Sequence, residues 1–460
     1  MLRRNIETLE VTFMPQSEPI AVQKHRVVIV GGGFGGLFAA QALGRSGYDV
    51  TLLDKRNFHL FQPLLYQVAT GTLTVGDIST QQRVVLRKYA NVRTLLGTVY
   101  DIDVDRQIVY YEGGEAPYDT LIAATGVKHQ YFGNDHWREH APGLKTVEHA
   151  LEMRHRLFRA FEEAEKTSDP ALRRQLLTFV IVGGGPTGVE LAGALGDLTQ
   201  RVMVGNFRNI DPRDARVILV EGADNILPPY DNSLRDAAKR MLEELNVEVR
   251  TQAMADDITA ETVRLKHKNG ETETIETRNV LWAAGVTLSQ FGRTLAARTQ
   301  GETDPRGRLV VDEQLRMPSH PNIHVIGDLA CAPDGKGGSL PGLAPVAMQQ
   351  GRYVAKLLKR QAKGKPPKPF KYLDKGSMAI IARYRCVGEI FGWKVKGAFA
   401  WLVWSLVHIA SLIEPDQRMT VTIQWLSRFF GTSADRLITG NPPKTADIQA
   451  KHQVELPSSK

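Results

Sequence analysis

Two glycine clusters stand out as the residues of this chain best able to do chemistry. Gly31-Gly-Gly-Phe-Gly-Gly36 follows the β-branched run Arg26–Val30, and Gly183-Gly-Gly-Pro-Thr-Gly188 follows the run Leu177–Val182. After each cluster comes a helical apolar pattern, then a second hydrophobic run that ends on an acid, Asp54 or Glu221. A dinucleotide asks for this arrangement. Its pyrophosphate is a dianion that must come close to backbone. The first glycine permits the tight turn, the second keeps a Cβ out of the phosphate's path, and the third lets the helix pack on the strand. The helix N-terminus then offers unbonded N–H groups and a partial positive charge. Those roles fall to Gly31, Gly33 and Gly36 in the first cluster and to Gly183, Gly185 and Gly188 in the second. Phe34, Gly35, Pro186 and Thr187 complete the two loops.

The acids accept from ribose hydroxyls, with Lys55 beside the first. Asp54 lies 23 residues after Gly31, whereas Glu221 lies 38 after Gly183, against the roughly 20 usual for this pattern. The stretch Gln200–Arg213 lengthens the second crossover. A lone cluster would read equally well as a tight turn with no ligand. Two copies in the same strand–loop–helix–strand–acid context read as an internal duplication. Glu221 also selects: a carboxylate there bonds a free 2′-hydroxyl and repels a 2′-phosphate, and no Arg follows it directly, which predicts NADH over NADPH.

These residues need strands to hold them. Beyond the two units, Tyr118–Gly126 reads as a strand ending in Ala124-Thr125-Gly126, and Asn279–Gly285 as one ending in Ala284-Gly285. Pro321–Asp328 reads as another, ending in Gly327-Asp328. The expected fold is α/β, with two Rossmann-like dinucleotide-binding domains and a C-terminal helical membrane-attachment segment. The boundaries expected are a disordered leader at 1–24, a first dinucleotide domain in two parts at 25–140 and 291–362, and a second at 141–290. A C-terminal membrane-associating region at 363–440 and a disordered tail at 441–460 follow. The leader mixes Arg3 and Arg4 with Glu7, Glu10 and Glu18 and has no apolar signal core.

Composition narrows the class. The chain has 460 residues, 42% of them hydrophobic, and only two cysteines, Cys331 and Cys386. That excludes a disulfide scaffold, a four-thiolate metal centre and a paired-cysteine redox site. No metal site is expected. The net charge of +8 is uneven: 12 Lys/Arg face two acids between Lys356 and Lys396. This basic block precedes the most apolar stretch, the 17 residues Gly397–Ile413 without Asp, Glu, Lys or Arg. The placement favours an anionic membrane surface over nucleic acid. A spanning helix needs about 20 apolar residues. Ser405, His408 and Ser411 form a weak polar stripe, and Trp393, Trp401 and Trp404 cluster as interfacial anchors, so a helix lying on the membrane is expected. A second amphipathic candidate surrounds Trp425, Leu426, Phe429 and Phe430.

Together these segments resemble the two-dinucleotide-binding-domain flavoprotein superfamily, whose architecture is glutathione-reductase-like. Within it the chain resembles the type II NADH dehydrogenases, the single-subunit NADH:quinone oxidoreductases. The resemblance rests on Val30–Leu37, on Phe58-His-Leu-Phe-Gln-Pro-Leu-Leu-Tyr-Gln-Val-Ala-Thr-Gly71, on Gly183–Gly193 and on Ala347-Met-Gln-Gln-Gly351. It implies one non-covalent FAD in the first domain, with Asp328 toward the flavin's ribityl or pyrophosphate region and Ala347 beside it. NADH is implied as the exchangeable co-substrate in the second. It further implies a membrane quinone (ubiquinone or menaquinone) as acceptor, a homodimer, peripheral attachment at the cytoplasmic face of the cell inner membrane, and no proton pumping.

Glu190, two residues past Gly188, is by position a helix-start carboxylate favoured by the dipole by about 0.3–1 kcal/mol. The resemblance places it near nicotinamide and flavin, where it would couple proton movement to quinone reduction. Gln349 and Gln350 would open a helix beside the flavin ring and bond a quinone carbonyl, unless they bond backbone instead. One departure stands out. The family often carries an Ala-Gln pair where this chain has Ala344-Pro345. Lys375 is a candidate at the same mouth or a solvated lysine. Two other functions fit parts of the pattern: a soluble NADH-dependent reductase of a protein electron carrier, and a non-catalytic flavoprotein that senses NADH.

Overall fold

The run Arg26–Val30 is a strand because β-branched residues suit a pleated chain buried on both faces. It pairs in parallel with Asp49–Asp54 on one side and Thr120–Ala123 on the other. Val92–Leu96 extends the sheet at one edge. His320–Val325 extends it at the other, followed by the short antiparallel Arg316–Met317, giving six strands. The first domain is therefore built from two separated pieces of chain. The late helix Ala344–Gln361 packs along the first fingerprint helix, Phe34–Leu43. They touch so closely that a Cβ on Gly351 would run into the carbonyl oxygen of Gly35. The computed structural model describes residues 24–430 and residue 438. The expected leader, apart from Lys24, and the expected tail lie outside the described residues, as do the side chains of Arg428, Phe429 and Phe430.

Between the two pieces lies the second domain. Val247–Arg250, Arg216–Val220, Thr178–Val182 and Asn279–Trp282 form an all-parallel four-stranded sheet. Its fingerprint helix, Pro186–Asp197, runs on as a π turn at Leu198–Val202 before a loop reaches Pro212–Asp214. That added turn and loop account for the long spacing to Glu221. The duplication also extends further than the two fingerprints. Each domain carries a three-stranded antiparallel meander just before its last strand of the repeat, at 99–117 and 253–276.

The C-terminal region departs from an all-helical expectation. It opens with an antiparallel meander, Gly376–Ala382, Arg385–Ile390 and Trp393–Lys396, and only then forms the helices Gly397–Ser411 and Pro415–Phe430. The meander is not an appendage: Ala379, Ile381, Cys386 and Val387 are buried in one core with Val189, Leu191 and Leu195 of the second fingerprint helix. Gly193 sets the approach, since a Cβ there would meet the backbone of Ile381.

The first C-terminal helix also differs from its expected orientation. Ser405, His408 and Ser411 do not form a solvated stripe. Each bonds the carbonyl one turn back, Ser405 to Trp401 (2.8 Å), His408 to Trp404 (2.7 Å) and Ser411 to Val407 (2.6 Å). Trp404 is 1% exposed and belongs to the core, while Trp393, 79% exposed, is free to act as an anchor. The outward side carries Phe399, Leu402 and Leu406, each at least half exposed. The second helix repeats this inversion. Gln417 bonds Thr80, Gly76 and Ser79, Gln424 bonds Asp77, and Val421 is buried between them, while Met419, Ile423 and Leu426 face out. Among the described residues no helix is long and apolar enough to cross a membrane.

Gly193→Ala is expected to lower the thermal unfolding midpoint by a few degrees, because overpacking of a well-filled contact costs about 1–3 kcal/mol. Melting followed by circular dichroism checks it, and an unchanged midpoint would contradict the close packing of helix on strand.

Candidate active site

The two glycine clusters fold into the same cradle. Gly31 and Gly183 hold φ of +102° and +113°, and a Cβ on either would press on the neighbouring strand end, at Ala124 and Ala283 respectively. At Gly36 and Gly188 a Cβ would collide with the carbonyl oxygens of Gly31 and Gly183, which is the helix-on-strand contact. Gly33 and Gly185 are different: nothing lies within 4 Å of a Cβ built there. Both cap their helices, and neither helix has a side-chain cap or an acid in its first turn. The open side of each cradle thus presents unbonded N–H groups to an anion, so the residues present fit a pyrophosphate at both.

The acids are held alike. Asp54 accepts from the Gly32 N–H and, at 2.7 Å, from the Arg56 N–H. Glu221 accepts from the Gly184 N–H at 2.6 Å and from the Ala223 N–H at 2.7 Å. Burial pushes the Asp54 carboxyl up, while these donors and the Arg56 charge pull it down. Lys55 stands exposed beside it.

A two-stranded ladder joins the cradles. The chain leaves Ala124-Thr125-Gly126 as Val127–His129 and leaves Ala283-Ala284-Gly285 as Val286–Leu288. These segments pair antiparallel, Val127 opposite Leu288. Gly126 and Gly285 make the matching turns at φ of +64° and +66°. Thr125 Oγ1 meets Ser289 Oγ at 2.7 Å across the junction. The carboxyl ends of both parallel sheets, where such ligands bind, are thereby tied together. Gly327, Asp328 and Ala347 come to the first cradle as well: the Ile326 N–H bonds Ala123 O at 3.0 Å, and a Cβ on Gly327 would lie 3.4 Å from that of Ala347.

Glu190 lies on the second fingerprint helix, on the side that carries Gly193, and so faces the strand Gly376–Ala382. It keeps some solvent access, but the strand surrounds it closely. Burial pushes its carboxyl up to about 8, opposed by the Ile380 backbone N–H. Tyr230 and Cys386 are neighbours in the same polar recess, both driven up by burial and by the Glu190 charge. Cys386 is buried, and both cysteines are free thiols.

The glutamines take backbone partners. Gln350, 1% exposed, accepts through Oε1 from the Gly327 N–H at 2.6 Å. Gln349 clamps Leu373, donating to its carbonyl at 3.0 Å and accepting from its N–H at 2.9 Å. Their geometry is that of positioning residues for the Gly327-Asp328 turn and the C-terminal linker. Lys375 is exposed at the start of the strand Gly376–Ala382.

Three contributors carried no fingerprint. Lys145 Nζ meets Asp328 Oδ2 at 3.2 Å, half-buried. Buried His59 donates from Nδ1 to Gly32 O at 3.1 Å; burial lowers its pKa to about 4, so the ring is neutral with its proton on Nδ1. Gln82 is fully buried and stands directly behind Gly32. His59 falls inside the Phe58–Gly71 segment of family resemblance, which was the one available signal. Lys145 and Gln82 had none.

Comparison with known proteins now bears on this geometry. Residues 25–351 match the pyridine nucleotide-disulphide oxidoreductase family. The chain is 43% identical over 451 residues to the type II NADH:quinone oxidoreductase Ndh of Mycobacterium tuberculosis, covering 96% of both. It belongs to the type II NADH:quinone oxidoreductase family. An external NADH-ubiquinone oxidoreductase of Saccharomyces cerevisiae mitochondria is 29% identical over 91% of this type II chain and 83% of its own. Among solved structures, NDH2 of Plasmodium falciparum in complex with NADH superposes with a TM-score of 0.82 at 21% identity, over 89% of this chain and 99% of that one. The sulfide:quinone oxidoreductase of Aquifex aeolicus shares the fold at a TM-score of 0.68 and 19% identity, over 84% of this chain and 90% of that one. The family's architecture is thus the one seen here: two Rossmann-type domains with C-terminal helices.

Because Glu221 is already oriented by two backbone donors, it stands ready for a free ribose diol and against a 2′-phosphate. The kcat/KM for NADH is expected to exceed that for NADPH at least tenfold, with Glu221→Ala narrowing the ratio. Steady-state kinetics with both nucleotides decides it, and equal use of NADPH by the wild type would defeat the assignment.

Proposed function

We propose that this type II NADH:quinone oxidoreductase holds one non-covalent FAD in the first cradle and NADH as an exchangeable co-substrate in the second. A membrane quinone accepts the electrons. The overall change is NADH + H⁺ + quinone → NAD⁺ + quinol. Bound FAD supplies the two-electron carrier between nucleotide and quinone. The single observation that carries the reading is the Val127–His129 to Val286–Leu288 ladder, which ties two cradles of identical construction by their open edges.

The remaining chemistry belongs to the chain's own residues. Gly31, Gly33, Phe34, Gly35, Gly36, Asp54, Lys55 and the Ala124–Gly126 turn would hold FAD from one side. Gly327, Asp328 and Ala347 would hold it from the other, with Lys145 fixing the Asp328 carboxylate and Gln350 fixing the Gly327 peptide. Gly183, Gly185, Pro186, Thr187, Gly188, Glu221, Ala284 and Gly285 would hold NADH. Glu190 is neutral at neutral pH and can therefore surrender a proton, the other ingredient that quinol formation consumes. The strand Gly376–Ala382 limits the access of water to it.

The apolar outer faces of the two C-terminal helices support attachment to a membrane surface. Two helices whose polar sides are spent on the protein and whose apolar sides face out suit the boundary between headgroups and acyl chains. With no span among the described residues, the proposed attachment is peripheral and the reaction moves no ion across the bilayer.

Stopped-flow mixing with NADH should reduce the flavin, and a second mix with a quinone series should reoxidise it. Reoxidation by a small acidic carrier protein in preference to every quinone would favour the soluble-reductase reading. Turnover with quinone should fall on the alkaline side through about pH 8 as the Glu190 carboxyl ionises. Glu190→Gln, with fold and FAD content retained, should remove that alkaline limb. An unaltered limb, turnover and NADH affinity would exclude Glu190 from the chemistry. For attachment, Leu402→Glu with Ile423→Glu should cut binding to anionic vesicles at least tenfold without loss of FAD, read by co-sedimentation. Undiminished binding would rule out the two helix faces.

A further inference from the structure

The basic block expected to meet lipid divides in the structure, and one part of it, joined by Arg352, forms a groove. Toward the carboxyl ends of the two packed helices of the first domain, Phe34–Leu43 and Ala344–Gln361, lies a cavity of about 260 Å³. Its wall holds Arg352, Lys356, Lys359, Arg360, Lys363 and Lys365, and no acid. Ala42 and Ala355 line the rest, so no bulky apolar side chain fills the space. Arg352, Lys356, Lys363 and Lys365 are exposed, and among the described residues none of the six cations makes an ion pair.

Cations near a helix C-terminus complement its dipole, and part of the cluster is explained that way. Lys359 Nζ donates to Ala42 O at 2.6 Å, closing the end of the first helix. Arg360 Nη2 donates to Pro366 O at 2.9 Å and fixes the turn that follows the second. The dipole acts within the last turn only. It does not account for Arg352, which stacks on the Phe38 ring at 4.6 Å, nor for Lys363 and Lys365 beyond the helix end. Arg352, Lys356, Lys359 and Lys363 recur every three or four positions, which sets like charges side by side one turn apart. Such a stripe, over a recess without a carboxylate, calls for an anion.

Three features select the anion. From Arg352 to Lys363 the stripe runs about 16 Å at the helical rise, farther than one phosphate group spans. The volume lies below the roughly 300–1,000 Å³ of pockets that enclose a drug-sized ligand, so a phosphate chain suits it better than a whole nucleotide. The position also turns away from lipid. The C-terminal helices reach the first fingerprint helix at its beginning, His408 meeting Phe61 at 6.1 Å and Phe61 meeting Phe34 at 5.7 Å, whereas the groove lies at its other end.

We propose that this groove binds a soluble condensed phosphate, free or as the phosphate chain of a nucleoside polyphosphate, outside both dinucleotide cradles. Arg352, Lys356, Lys363 and Lys365 supply the charge, and Lys359 adds its remaining N–H donors.

Inorganic triphosphate is the probe. Titration calorimetry on the FAD-loaded full chain at low salt, with NAD⁺ in excess to keep the cradles filled, should show saturable binding. Lys356→Ala with Lys363→Ala should weaken it about tenfold or more, the factor for losing a hydrogen bond to a charged group, while flavin content and NADH oxidation stay at wild-type values. Inorganic monophosphate should bind the wild type about tenfold more weakly than triphosphate. Arg352→Ala stands in if the double variant loses flavin. Absence of saturable triphosphate binding to the wild type overturns the proposal, as does equal binding by the variants. Vesicles of phosphatidylglycerol test the other source of phosphate. Vesicle binding that falls in the double variant, and that triphosphate does not displace in the wild type, would assign the groove to lipid headgroups and overturn the soluble ligand.

Discussion

Three residue pairs hold the working arrangement together. Val127, Lys128 and His129 lie opposite Leu288, Thr287 and Val286, and everything that needs two cofactors to meet depends on that ladder. A Rossmann unit binds its ligand at the carboxyl ends of its strands, so two units placed side by side would open in unrelated directions. Here the strand that leaves each unit beside its ligand edge pairs with its counterpart. The symmetry goes down to the turns, Gly126 and Gly285, and to the acids, each clasped by the N–H of the residue after the fingerprint's first glycine, Gly32 or Gly184, and by one two residues beyond itself. The cost of ordering a short ladder is small compared with the positional gain, because reacting groups must approach within about 3–3.5 Å.

The C-terminal region turns this scaffold into an enzyme with a particular environment. Its first strand lies so close on the second fingerprint helix that Gly193 has no room for a side chain. The same contact covers Glu190 three residues earlier and shifts it from an ordinary acid to a group that keeps its proton at neutral pH. The proposed membrane attachment and the proposed proton chemistry of Glu190 would thus be linked through one packed surface. The helices that would touch lipid and the strand that governs Glu190 belong to one continuous core.

The duplicated cradles were legible in the chain because their signals are local: β-branched runs, glycines at fixed offsets, a terminal acid. The Glu221 spacing that weakened the second copy has a local cause too, a π turn and loop. What stayed hidden depends on distant partners. Lys145 is an isolated lysine until Asp328 arrives 183 residues later. Gln349 and Gln350 look like ligands to a substrate, yet Gln349 clamps the Leu373 backbone and the Gln350 Oε1 takes the Gly327 N–H. Ser405, His408 and Ser411 have the spacing of a wet face, yet i−4 carbonyl bonds satisfy them without water. Trp404 looked like an anchor at the lipid boundary and is instead a wall of the interior, since tryptophan suits either place and sequence spacing does not distinguish them.

The interrupted first domain has a consequence for how the protein is made. Its strand Arg26–Val30 leaves the ribosome early, but the sheet is not complete until His320–Val325 and the Gly327-Asp328 turn have been synthesised. At about 5–20 residues per second, that delay is roughly 15–60 seconds. The second domain has no such gap and can close during the wait. The domain begun first is therefore finished last, and the first cradle must mature on a partner that is already folded.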